Sequence, residues 1–157
     1  MRKLLIALCL ATPALADDPV VDFESGDAAM NAAIEAAQAT FPHFWATNVD
    51  ADGFADEGAS IKVAVPYEDG REHIWMGPCR GDLTNDVFVC VVANDPVHVD
   101  LEPGRLFPFE RHMISDWMKR DADGMIEGGY TLRAMLPRLP EDQAEALRAQ
   151  LLPLVEE

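Results

Sequence analysis

Asp116 and His73 are candidates for acid–base chemistry, a carboxyl and an imidazole that could exchange protons with a substrate. Other chemistry is weakly signalled. Ser25, Ser60 and Ser115 are the only serines, and none sits in a Gly-x-Ser-x-Gly elbow. His43, His73, His98 and His112 show no metal-pair spacing, so the sequence assigns no metal and implies no cofactor. The run Asn48-Val-Asp-Ala-Asp-Gly53 places oxygen donors at Asn48, Asp50 and Asp52, as the opening of a calcium loop does, with Asp56 as a further donor. Ala59 stands where that loop needs a bidentate glutamate, and a strand follows where it needs a helix. A solvated turn over residues 48–56 is the favoured reading.

Polar groups also punctuate the ends of the apolar runs: Asn94-Asp95-Pro96, Ser115-Asp116-Trp117 and Gly128-Gly129-Tyr130-Thr131-Leu132-Arg133. Two readings are open. In the first these are turn makers and caps, with Arg133 paired to Asp116 or Asp95. In the second, His73, Trp75, Asn94, Asp95, Asp116, Trp117, Tyr130 and Arg133 rim a binding cleft walled by aromatic rings. Most buried polar corners are packing devices, which favours the first.

Short elements must position these residues. Asp27 can cap a helix from Ala28 to about Thr40, with Met30, Ile34, Ala37 and Phe41 at helical spacing. Pro42 is expected to end it, leaving His43-Phe44-Trp45 as an anchor. Ser60–Pro66 alternates, with Ile61, Val63 and Val65 on one face of a strand, and Glu72–Met76 follows as the next. The unbroken apolar run Val87–Val92 reads as a central strand covered on both faces. Leu106–Phe109 and Met113–Met118 follow as strands, and the Asp121–Gly124 turn returns the chain through Met125–Glu127. Thr131–Leu136 forms a short helix, and Pro140 opens a last one with Ala144, Leu147, Leu151 and Leu152 as its buried stripe. The fold class is α+β: an antiparallel meander of five to six strands, a bent sheet or small barrel, packed on one side with N-terminal and C-terminal helices.

Residues 1–16 read as a cleaved secretory signal, with basic Arg2 and Lys3, an apolar stretch over Leu4–Leu10, and Ala14-Leu15-Ala16 before the cut. Residues 17–26 are a flexible leader, and 27–157 a single domain. The destination is the periplasm or the exterior, with no membrane span once the signal is gone. The formal net charge of −16 becomes more negative when Arg2 and Lys3 leave. That charge speaks against nucleic acid and anionic lipid as partners, and for solubility, cations or a basic protein partner; the expected partner is an envelope protein or a small ligand. Cys9 departs with the signal. Cys79 and Cys90 remain, flanking a turn-rich stretch in an oxidising compartment, and a disulfide across a hairpin is expected.

The blocks Asp27-Ala-Ala-Met-Asn-Ala-Ala-Ile, Phe44-Trp45, Glu72-His73-Ile74-Trp75, Ala93-Asn94-Asp95-Pro96, Ile114-Ser115-Asp116-Trp117-Met118 and Gly128–Arg133 resemble the YegJ-like family of domains of unknown function (DUF2314). The resemblance runs from Asp27 to the C-terminal helix. It implies a single domain and the same set of corner residues, and supplies no reaction. The secretion signal, the charge and the absence of a catalytic set make the leading expectation a non-enzymatic periplasmic binding or interaction module of unknown ligand, and masking a basic partner is a role that fits the acidity. The alternative is a small hydrolase of an envelope polymer, with Asp116 and His73 as acid and base.

Overall fold

The computed structural model describes residues 27–154; the expected signal and leader lie outside them. Helix α1 spans Ala28–Thr47, and its first turn is capped by Asp27, whose Oδ1 accepts the Met30 N–H at 2.8 Å. It does not stop at Pro42 but runs through it. A helix-interior proline costs roughly 3 kcal/mol. Phe41, Phe44 and Trp45 are all buried on one stripe of this helix, and at roughly 2–3 kcal/mol for each large apolar side chain their burial outweighs that cost.

Six strands follow: β1 (Ala59–Tyr67), β2 (Gly70–Asp82), β3 (Val87–Val92), β4 (Leu106–Glu110), β5 (Ile114–Arg120) and β6 (Ile126–Gly128). Their order is β4-β3-β2-β1-β5-β6, with every pair antiparallel. The first four form a meander. The chain then crosses to pair β5 with the free side of β1, and the sheet stays open rather than closing as a barrel. Helices α2 (Tyr130–Met135) and α3 (Glu141–Gln150) complete an α+β domain. No helix of the described residues is long and apolar enough to cross a membrane.

The main core lies between α1 and one face of the sheet. Phe41 and Trp45 meet Phe88 edge-on at 5.4 and 5.1 Å, and Phe44 stacks on Trp117 at 4.3 Å. A smaller cluster forms on the opposite face, where Leu132, Leu147 and Leu151 pack with Trp75 and Ile126. The helices therefore cover both faces rather than the single side expected. Cys79 stands directly opposite Cys90 in the β2–β3 register, with Cα atoms 4.1 Å apart, and the two form the expected disulfide. Closing so short a loop stabilises the fold by roughly 2–3 kcal/mol in the chain-entropy account.

Strand β3 departs from the expectation of a doubly covered strand. Phe88, Cys90 and Val92 are buried, whereas Val87 is 49% exposed and Val89 and Val91 are half-buried. The C-terminal helices gather around Trp75 and Ile126, leaving the outward side of β3 open.

Candidate functional site

The polar corner is built around Asp116. On β1, Lys62 faces Trp75 of β2 on one side and Asp116 of β5 on the other, so the three share a row on the second face of the sheet. Asp116 has no solvent exposure. Its Oδ1 accepts the N–H groups of Trp117 (2.8 Å) and Tyr130 (3.0 Å). Its Oδ2 accepts the N–H of Thr131 (2.8 Å) and the Thr131 hydroxyl (2.6 Å). Tyr130 and Thr131 open α2, so a carboxylate fourteen residues back in the chain satisfies two of the donors left free at that helix start. Burial pushes the Asp116 carboxyl up, while the bonds from Thr131 and Trp117 and the charge of Lys62 pull it down; burial is the larger effect.

The Gly128-Gly129 pair makes this approach possible. Gly128 has φ +76°, and a Cβ there would lie 2.5 Å from the Trp117 carbonyl oxygen and 2.6 Å from its ring.

Lys62 is almost wholly buried, a position that strand alternation assigns to solvent. Its Nζ lies 5.1 Å from the centre of the Trp75 ring and donates to Thr131 Oγ1 at 3.5 Å. The register shift between Lys62 and Val63 brings Ser115 alongside, and its hydroxyl meets the Lys62 carbonyl (3.2 Å) and His73 Nδ1 (2.8 Å). Much of the His73 ring surface is exposed, but its Nδ1 edge is tucked against the sheet. Desolvation of that edge, with the charges of Lys62 and Arg71, lowers its pKa to about 4, so the ring is neutral at pH 7.

The other expected rim residues scatter. Trp117 follows Asp116 on the same strand and so points to the opposite face, where its Nε1 donates to the Ala37 carbonyl (3.2 Å) and Thr40 Oγ1 (3.0 Å). The Tyr130 ring meets it edge-on at 5.7 Å. Arg133 does not take the expected pairing to Asp116 or Asp95; its Nε donates to the Gly128 carbonyl (3.0 Å) and its Nη2 to that of Leu152 (2.5 Å). Asn94 and exposed Asp95 sit in the loop after β3, next to Ala93, whose N–H donates to the Trp75 carbonyl (3.1 Å). Sequence reasoning missed Lys62 and also Glu72, whose carboxylate accepts the N–H groups of Val97 (2.6 Å), His98 (2.8 Å) and Val99 (3.1 Å) and so pins that loop. The signals were a lone lysine within Ile61-Lys62-Val63 and a lone glutamate opening the second strand.

In the acidic loop, Asp50 Oδ1 accepts the N–H groups of Asp52 and Phe54, both at 2.9 Å. The ammonium of Lys119 lies between Asn48 Oδ1 (2.6 Å) and Asp56 Oδ2 (2.9 Å), where a bound cation would otherwise be drawn. Among the described residues no three His, Cys, Asp or Glu side chains cluster as metal ligands.

A family model described as "Uncharacterized protein conserved in bacteria (DUF2314)" matches residues 27–151, which takes in every element of this corner. The chain belongs to the DUF2314 family. A relative within it is "Uncharacterized protein YegJ" of Escherichia coli (strain K12), 34% identical over 104 residues. That stretch covers 66% of this chain and 63% of the relative, so less than two thirds of the relative's length is spanned. No solved structure matches.

Proposed function

We propose that this DUF2314 domain is an exported, non-catalytic interaction module whose acidic surface masks a basic envelope protein. The observation that carries the reading is the excess of 28 acidic over 12 basic residues, some of the latter engaged within the domain. Lys62 is inside, Lys119 is tied to Asn48 and Asp56, and Arg120 to the Gly124 carbonyl and Gln150. Arg133 holds two carbonyls, and Arg138 pairs with Asp27. Arg71, Arg80, Arg105, Arg111, Arg120, Arg138 and Arg148 remain exposed, but carboxylates outnumber them, and a formal net charge of −16 gives an acidic field that attracts cationic partners and raises their rate of encounter.

The hydrolase alternative asks Asp116 to exchange protons with a polymer. Asp116 is sealed from solvent and already accepts four hydrogen bonds, which argues against that role. The test is retention of a stoichiometric basic protein from an envelope extract on the immobilised domain at 0.15 M salt, released when the salt is raised and screening shortens to a few ångström, roughly 3 Å at 1 M. Turnover of an envelope polymer that disappears in His73→Ala, with no basic protein retained, would overturn the reading.

A further inference from the structure

Directly opposed residues of an antiparallel pair share a face of the sheet. Phe54, Arg80, Val89 and Pro108 thus form one row across the molecule. The rows on either side are Asp82–Val87–Glu110 and Val91–Leu106. Phe54 is 50% exposed, Val87 49% and Leu106 69%, and these are three of the five exposed large apolar side chains among the described residues. Single exposed apolar side chains are ordinary; here half-buried Val89 and Val91 and exposed Pro108 lie between the three on the same face and link them into one apolar surface, the kind that binds a partner. Nothing in the core requires valine at positions 87, 89 and 91, because Phe88, Cys90 and Val92 are the residues of β3 that build it.

We propose that the outward face of β2–β3–β4 docks a partner protein presenting apolar side chains flanked by lysine or arginine; this rests on the interaction-module reading and assigns its surface. Charge selects the occupant. Asp82 and Glu110 bracket Val87 in the register. A shallow groove lined by Asp56, Glu57 and Pro78 begins at Ala55, next to Phe54, and adds the carboxylate of Glu57, that of Asp56 being paired with Lys119. Arg80 lies over the Phe54 ring at 5.0 Å with its Nε on the Asp52 carbonyl (3.1 Å), so it serves as part of the apolar floor. Arg105, beside Leu106, sits in the turn that contains Glu102. A second copy would bring another formal −16 against this one, and edge strand β4 carries Pro108, the residue type that blunts strand addition.

Photo-crosslinking of the full chain in its own cells tests this, with p-benzoylphenylalanine replacing Leu106 on the face or Glu145 on α3 as the control. The expected result is an adduct from position 106, absent from 145, to a protein of basic isoelectric point. Val87→Lys should cut its yield by roughly tenfold, as loss of a central apolar contact does, while Val87→Leu retains it. Unchanged melting of Val87→Lys would show that the fold is intact. An adduct of twice the chain mass, an adduct within the chain's own residues, or none at 106 overturns the assignment. A basic partner captured only from 145 would sink this face while leaving the module reading standing, whereas silence at both positions with measurable polymer turnover would sink both.

Discussion

Replacing Asp116 by asparagine separates a brace from a working site. The substitution keeps the volume, and the remaining oxygen can still accept the Trp117 and Tyr130 N–H groups now 2.8 and 3.0 Å from Oδ1. The new amide nitrogen, however, would face the Thr131 N–H at the present Oδ2 distance of 2.8 Å, donor against donor. The Thr131 hydroxyl can turn to accept, but the Thr131 N–H stays buried without a partner, at roughly 1–3 kcal/mol. The two retained bonds also become neutral rather than charge-assisted, and Lys62 loses its nearby negative charge; together these bring the loss to roughly 2–4 kcal/mol. For a domain of this size that is about 10 °C in melting temperature. Asp116→Ala, which removes all four acceptor contacts, should lose more, about 4–5 kcal/mol. Urea unfolding followed by tryptophan fluorescence reads this directly, since Trp117 stacks on Phe44 in the core. An Asp116→Asn variant within about 0.5 kcal/mol of the parent, a change typical of plain surface positions, would refute the brace.

Other expectations follow from the same geometry. His73 is held neutral in the folded state with a pKa of about 4, against 6.5 when unfolded, so its contribution is complete above pH 6.5 and is lost as the pH falls towards 4. With the exposed part of the ring discounted for solvent screening, that contribution is on the order of 1 kcal/mol; an NMR titration of the imidazole should give a midpoint below 5, and one near 6.5 would contradict the tucked Nδ1 edge. Cys79→Ala with Cys90→Ala should lower stability by roughly 2–3 kcal/mol, and an unfolding midpoint indifferent to reductant would show that the bridge does not form. Glu72→Gln should speed amide exchange at Val97, His98 and Val99 by about tenfold or more, a loss of roughly 1.4 kcal/mol of local closure; unchanged protection would mean that the loop is held by something else.

Local chemistry made several features legible in the sequence. Asp27 as a cap, the Asp121–Gly124 turn and the opposed cysteines each need only a few neighbouring residues, and each stands where expected. What depended on partners distant in sequence was harder to read. The passage of α1 through Pro42 is decided by rings that meet Phe88 and Trp117, 44 and 73 residues beyond Phe44. Trp75 and Trp117 were expected to wall one cleft, but register places Trp75 beside Lys62 and Trp117 beside Ile61, on opposite faces. The adjacency of Asp116 and Trp117 on one strand already implied that both could not face the same cleft. Lys62 escaped notice because a polar residue alternating with Ile61 and Val63 reads as solvent-facing until its burial is seen.

Lysine occurs in this chain at positions 3, 62 and 119, and of the two within the described residues Lys62 is buried and Lys119 is tied to Asn48 and Asp56. Reagents aimed at lysine amines, whether fluorescent esters, bifunctional linkers or activated sensor surfaces, would therefore find no innocent lysine among the described residues. Acylating Lys119 would remove the cation that Asn48 and Asp56 share and set their oxygens against each other across an emptied centre. Anyone tethering or tagging this protein should couple it through a terminus or through carboxylates, since Lys62 and Lys119 are part of what keeps it in shape.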